Sequence, residues 1–215
     1  MNKLKTERTT LILTTLIILL PILAGVLLWD RLPDRIPTHF DFQGNPDGWS
    51  SRRAAVFFLP LFLTAVHLLC AFITAYDPKE RGVSVKIYRL ILWIVPVLSV
   101  FLNGLVYAYA LGKDVNISTA SYALVGLTFI IIGNYLPKVR QNMTVGIKIP
   151  WTLADETNWN LTHRLAGRLW IIAGIVIVAS TFMSNSVGPF VMLGAALCCT
   201  LIPCVYSFLL YRKTL

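Results

Sequence analysis

Of the 215 residues, 56% are hydrophobic and only 13% are charged, where a soluble domain carries roughly a quarter. This composition excludes a soluble globular chain. Nineteen Lys and Arg against ten Asp and Glu give a net charge of +9, but the basic residues are dispersed along the chain, which disfavours direct nucleic-acid binding.

The apolar residues gather into six runs, at 10–29, 54–76, 88–111, 118–136, 167–183 and 188–210. Crossing a hydrocarbon core takes roughly 20 helical residues. Lipid offers no partner to an open sheet edge, and the runs lack barrel-type alternation. The expected class is therefore all-α, a polytopic membrane bundle of six transmembrane helices. If the N-terminus is inside, the inside segments 1–9, 77–87 with Arg89, 137–168 and 211–215 hold 3, 4, 5 and 2 basic residues. The outside segments 30–53, 112–117 and 184–187 hold 4, 1 and 0, so the bias predicts N-in/C-in. It also draws the chain to anionic inner-leaflet lipid. Two parts are expected: 1–76, the first helix pair with its outer loop, and 77–215, four helices with an inner segment at 134–168.

The first run is too long for a secretory h-region of about 7–15 residues, and Trp29-Asp-Arg-Leu-Pro33 offers no small-residue cleavage site, so it is read as a retained helix. The outer segment 30–53 comes next. Prolines at 33, 37 and 46 forbid a continuous helix. Thr38-His-Phe-Asp-Phe42 alternates polar and aromatic residues like a brief strand, and Gly44-Asn-Pro-Asp-Gly48 is a dense turn signal. Trp49 stands where an interfacial anchor belongs. The segment reads as an ordered loop over the bundle, with His39, Phe40, Asp41, Asp47 and Trp49 as candidate contacts. The spacing of His39, Asp41 and Asp47 matches no metal-ligand rule.

Pro21, Pro60, Pro96 and Pro203 fall inside apolar runs, where kinks are expected. His67, Asn103 and Asn134 are polar residues within runs, and intramembrane polar groups are either packing partners or functional. No run contains an acid, which disfavours a pump or ion-coupled transporter. Cys70, Cys198, Cys199 and Cys204 lie in apolar runs and read as small buried hydrophobes.

The inner segment 134–168 is far longer than a connector needs. Pro137 ends the fourth run; Lys138, Arg140 and Lys148 make the next stretch basic, and Gly146 allows a turn. Pro150-Trp151-Thr152 reads as a helix start with Thr152 as N-cap and Asp155 completing a capping-box variant. Helical spacing from there puts Thr152, Glu156, Trp159, His163 and Trp170 on one stripe, with Arg164 and Arg168 on a neighbouring face where their stems can snorkel. An interfacial helix running directly into the fifth span is expected. Glu156, Trp159 and His163 then either pack or form a polar-aromatic binding surface. There is no HExxH, serine elbow, phosphate-cradling glycine loop or zinc-type Cys/His cluster, so neither an enzyme nor a cofactor is expected.

Both loops resemble the SdpI family of bacterial membrane proteins. The outer one does so through Leu32-Pro-Asp-Arg-Ile-Pro-Thr-His-Phe40 and Gly44-Asn-Pro-Asp-Gly-Trp49. The inner one does so through Gly133-Asn-Tyr-Leu-Pro-Lys138, Asn142, Gly146-Ile-Lys-Ile-Pro-Trp-Thr-Leu153, Glu156, Trp159 and Thr162-His-Arg164 with Gly167. The resemblance implies a multi-pass protein of the bacterial plasma membrane that protects its cell against a secreted toxic peptide. In signalling members it also implies recruitment of a small repressor on the inner side. It makes Asn134, Pro137, Lys138, Asn142, Gly146, Pro150, Trp151, Thr152, Glu156, Trp159, His163 and Arg164 candidate binding or signalling residues. The alternative reading is a peptide or small-molecule transporter, or an envelope-stress membrane protein.

Overall fold

A computed structural model of the chain describes residues 3–78, 83–183 and 187–213. Parts of four expected connector or terminal segments, 1–2, 79–82, 184–186 and 214–215, lie outside the described residues. A short helix α1 (Lys3–Thr6) leads to α2 (Arg8–Leu27), then to a hairpin of β1 (Arg35–Phe40) and β2 (Pro46–Ser51). A π-helical turn over Ala54–Phe58 opens α3 (Leu59–Ala75), followed by α4 (Val85–Ala110) and α5 (Ile117–Tyr135). The short α6 (Pro150–Ala154), α7 (Glu156–Ser180) and α8 (Gly188–Lys213) complete the chain. Six helices among the described residues are long and apolar enough to cross a membrane, and each coincides with an expected run. The chain is a helical, multi-pass membrane protein that also carries a small two-stranded sheet.

Contacts divide the chain into two units, 1–76 with 85–117, and 77–84 with 118–215. In the first, α2, α3 and α4 pack pairwise and share polar links that the membrane core would otherwise penalise. Thr14 Oγ1 and His67 Nε2 lie 3.1 Å apart, Ser99 donates to the Ile18 carbonyl at 3.1 Å, and the Tyr107 hydroxyl donates to the Pro21 carbonyl at 3.1 Å. Asn103, also an expected intramembrane polar residue, bonds the Ser99 carbonyl one turn back at 2.8 Å. His67 and Asn103 are thus buried packing partners.

In the second unit, α5 and α7 run antiparallel and touch through glycines. A Cβ on Gly126 would meet the Gly174 carbonyl at 2.8 Å, and one on Gly133 would meet the Gly167 carbonyl at 2.8 Å. Gly126 and Gly133 are spaced like Gly167 and Gly174, two turns apart, so each pair lies on one helix face. Small residues are what allow membrane helices to approach backbone to backbone. α8 packs along another face of α7. There the Asn158 amide donates to the Ser207 carbonyl at 2.9 Å, while its Oδ1 accepts from Ser207 at 2.6 Å and from Thr162 at 3.1 Å.

Candidate functional site

The hairpin occupies the expected loop but is more regular than alternation and turn signals suggested. β1 begins three residues before the expected strand, and β2 covers residues 46–48, where the sequence signals a turn. The turn itself is Asp41–Asn45. The Asp41 carboxylate accepts from the Gln43 and Asn45 amides at 2.9 and 2.8 Å, its backbone amide bonds the Asn45 carbonyl, and Gly44 takes φ +89°. Hydrogen bonds from the Asn45 side chain, and then from its backbone, hold the Asp41 carboxyl below the usual aspartate range. Asp41 is therefore a turn-former.

Trp49 sits inside β2, paired with Pro37, rather than just before the next helix. His39 Nδ1 lies 2.5 Å from Asp47 on the exposed side of the sheet. The hairpin is fastened to its own unit. Leu32 and Ile36 join Ala55, Val56 and Tyr107 in a buried cluster, and Phe40 meets the Tyr109 ring edge-on at 5.3 Å. Arg52 donates to the Trp29 carbonyl at 3.0 Å, pairs with Asp34 at 2.5 Å, and lies over the Trp29 ring. Phe42 and Trp49 are left 71% and 48% exposed.

The segment between α5 and α7 folds back over the start of α7 and is tied down by side chains. Asn142, fully buried, accepts from the Thr144 and Val145 amides at 2.8 and 2.6 Å and donates to the Arg140 and Val145 carbonyls. Gln141 reaches the Thr152 and Leu153 carbonyls at 2.7 and 3.0 Å. Asp77 accepts from the Met143 amide at 2.9 Å and from Thr144 at 2.7 Å.

Under this loop Trp159 and His163 stack with ring centroids 4.0 Å apart, 0% and 1% exposed. The Trp159 indole donates to the Val139 carbonyl at 2.7 Å. The Ile147 amide donates to His163 Nε2 at 3.0 Å, while Nδ1 bonds the Trp159 carbonyl at 2.8 Å, so the geometry requires a neutral imidazole protonated on Nδ1. Gly146, at φ +119°, crosses directly above the two rings, and a Cβ there would collide with His163 and approach Trp159 to 3.1 Å.

Two local expectations change. Thr152 is the third residue of α6, with Ile149 as N-cap, and its hydroxyl accepts from the Ile149 amide at 3.1 Å and donates to the Ile147 carbonyl at 2.7 Å. Asp155 breaks the helix and caps α7, accepting from the Thr157 and Asn158 amides at 3.0 and 2.8 Å. The chain restarts at Asp155 because its short acceptor satisfies the new helix's free N–H groups, a stronger local solution than a capping box spanning both helices. The continuous stripe from Thr152 consequently does not form. Glu156 is exposed at the first turn of α7 while Trp159 and His163 are buried, so these three do not make one surface. α7 does run unbroken from Glu156 into the fifth span, as expected.

Of the remaining candidates, Asn134, Pro137, Lys138, Pro150 and Arg164 are exposed, and Trp151 packs on Phe208 of α8 at 5.0 Å. Gln141, Asp77, Asn158 and Ser207 were not foreseen. Ser207 is a polar residue inside the sixth run, while Asp77, Gln141 and Asn158 lie in polar segments, and no local pattern names their partners. No group of three or more metal-ligating side chains occurs among the described residues.

Residues 138–207 match the SdpI/YfhL protein family model, and residues 16–64 match a domain of unknown function, DUF1648. The chain is 28% identical over 206 residues to the Immunity protein SdpI of Bacillus subtilis (strain 168), spanning 94% of this chain and 96% of that protein. The inner segment from Lys138 onward, read as resembling this family, falls within the SdpI/YfhL match, and the outer loop falls within the DUF1648 match. No solved structure matches.

Proposed function

We propose that this SdpI-like membrane protein protects the cell that makes it against a secreted, membrane-active peptide. The observation that carries the reading is similarity to an immunity protein over 94% of the chain, hairpin and inner segment included. In this reading the hairpin faces outward and offers the peptide Phe42, Trp49 and His39 beside Asp47, a surface with both apolar and acidic character suited to a cationic amphipathic ligand. The inner segment faces the cytoplasm. Its buried members, Asn142, Thr152, Trp159 and His163, hold the loop's shape together with the half-buried Gly146. Its exposed members, Lys148, Pro150 and Glu156, present that shape to a small repressor.

The test is survival of a peptide-sensitive bacterial host expressing wild type, empty vector, or a Phe42→Ser, Trp49→Ser double variant, challenged with secreted peptides of related bacteria. Wild type should raise survival and the double variant should lose protection at unchanged membrane abundance. Equal survival with wild type and empty vector across those peptides rejects immunity.

A further inference from the structure

The antiparallel contact of α5 and α7 has a geometric corollary. Residues rotated by the same angle from the contact line fall on the same side of an antiparallel pair. One position beyond the glycines on α5 runs the line Leu127, Ile131, Asn134, Lys138, continuing into the 3-10 turn. The equivalent line on α7 is Arg164, Arg168, Ile172, Ile175. Both lines are open: Leu127 and Ile131 are 52% and 47% exposed, Ile172 and Ile175 59% and 54%, and Lys138, Arg164 and Arg168 are all exposed. Because α8 holds another face of α7, this side of the pair forms a shallow two-helix cleft.

The cleft is cationic at one end and apolar along the rest. Gly133 against Gly167 sets the level: the three basic residues lie within five positions of that contact, about 8 Å along a helix. Pro137 also abuts Gly167, which brings the Lys138 turn onto α7. Arg164 and Arg168 have no carboxylate within ion-pair distance among the described residues. Lys138 leans on the Tyr135 ring at 4.9 Å, with Nζ 3.5 Å from the Asn134 amide oxygen.

We propose that this cleft binds an anionic phospholipid, its phosphate on Arg164, Arg168 and Lys138 and its acyl chains along the apolar lines of α5 and α7. A lipid fits better than an acidic protein, because the arginines stand directly in line with exposed Ile172 and Ile175, a charge-then-hydrocarbon sequence that matches one amphiphile. Guanidinium groups favour phosphate through paired N–H donors.

Purified full-length protein in detergent is mixed with equal amounts of phosphatidylglycerol and phosphatidylcholine, and retained lipid is read by native mass spectrometry. Wild type should retain phosphatidylglycerol preferentially. Arg164→Gln with Arg168→Gln should lower that retention roughly tenfold or more, the effect of two basic groups near an anionic headgroup. Lys138→Gln alone, outside α7, should lower it severalfold, which keeps the idea testable if the double variant is unstable. Arg164→Lys with Arg168→Lys should retain part of the preference. Arg35→Gln with Arg53→Gln, which removes equal charge from the hairpin and its exit, should leave it intact. Equal retention of both lipids by wild type, an equal loss in the hairpin variant, or displacement by inorganic phosphate or polyglutamate would overturn the proposal.

Discussion

His163 stacks on Trp159 one helical turn away, and each ring also holds the loop that covers it, through the Ile147 amide and the Val139 carbonyl. Two side chains of one helix thereby fix both ends of the 139–147 crossing. Gly146 is the point where backbone must pass over the rings without a side chain.

Trp159→Ala should therefore act on the loop as well as on the helix. The lost burial is worth about 3–5 kcal/mol, and the Val139 carbonyl loses its donor. Thermal unfolding in detergent should show a large drop, and trypsin should reach Arg140 and Lys148 at temperatures where wild type resists. Trp159→Phe keeps most of the ring stacking but still strands the carbonyl, at about 1–3 kcal/mol. A Trp159→Ala protein with wild-type loop protection would refute this coupling.

Gly146→Ala and Gly133→Val should both destabilise, for different reasons. At Gly146 the cost joins a positive φ to a collision with His163, so loop protection is lost while α5 and α7 stay paired. At Gly133 the added groups push against the Gly167 carbonyl and the Trp170 side chain, an overpacking cost of about 1–3 kcal/mol or more. Disulfide crosslinking between cysteines placed on α5 and α7 should weaken in Gly133→Val and persist in Gly146→Ala.

Acid should open the hairpin turn. Asp41 in the folded turn has a lowered pKa, so its contribution is complete above the ordinary aspartate value of 3.8 and disappears as pH falls below it. Amide exchange at Gln43 and Asn45, corrected for the intrinsic pH dependence, should stay slow from neutral pH down to about 5 and quicken below about 4. Asp41→Asn, which can still accept in the turn, should remove the pH dependence.

The basic bias between loops should govern orientation. Reporter fusions at residue 45 should register outside and those at 83 and 145 inside. An outside signal at 145 would reverse the assignment of hairpin and inner segment.

Membrane helices were legible because runs of apolar residues carry their own signal: the ends agree within three residues except at the start of α7, which begins at Glu156, eleven residues before its apolar run, where the interfacial helix was expected. The hairpin was half legible. Alternation over 38–42 marked one strand, but Gly44-Asn-Pro-Asp-Gly48 hid the other, because residues that favour turns can also occupy a short edge strand. In the inner segment the helical period correctly grouped Trp159 with His163. It failed to show that a folded-back loop would bury them, since burial there depends on Asn142, Gln141 and Asp77, whose partners are not periodic. The glycine pairs were visible in sequence as equal spacings in two runs, though spacing alone does not say which helices meet.

Glu7 and Arg89 offer an asymmetric test of how the first unit is held. The Glu7 side chain is only 2% exposed and receives two bonds from Arg89, at 3.0 and 2.6 Å, and one from Thr10 at 2.8 Å, whereas Arg89 is 59% exposed. The hydrogen bond from Arg89, then that from Thr10, keeps the Glu7 carboxyl below the ordinary glutamate range. Removing Arg89 leaves a buried carboxylate without its counter-charge, while removing Glu7 leaves a guanidinium that can turn to water or headgroups. Arg89→Met should therefore cost more than Glu7→Gln. The difference should be modest, because the Arg89 head is already solvated and solvent screens the pair. The sign with pH comes from the lowered value: the pair's contribution is full above the ordinary glutamate value of 4.5 and is lost as pH falls through the folded one. Melting temperatures of the two variants in detergent, near neutral pH and near pH 4, check both claims. Equal losses in both variants, or a wild-type melting temperature that rises on acidification while Glu7→Gln stays flat, would show that the pair does not brace α2 against α4.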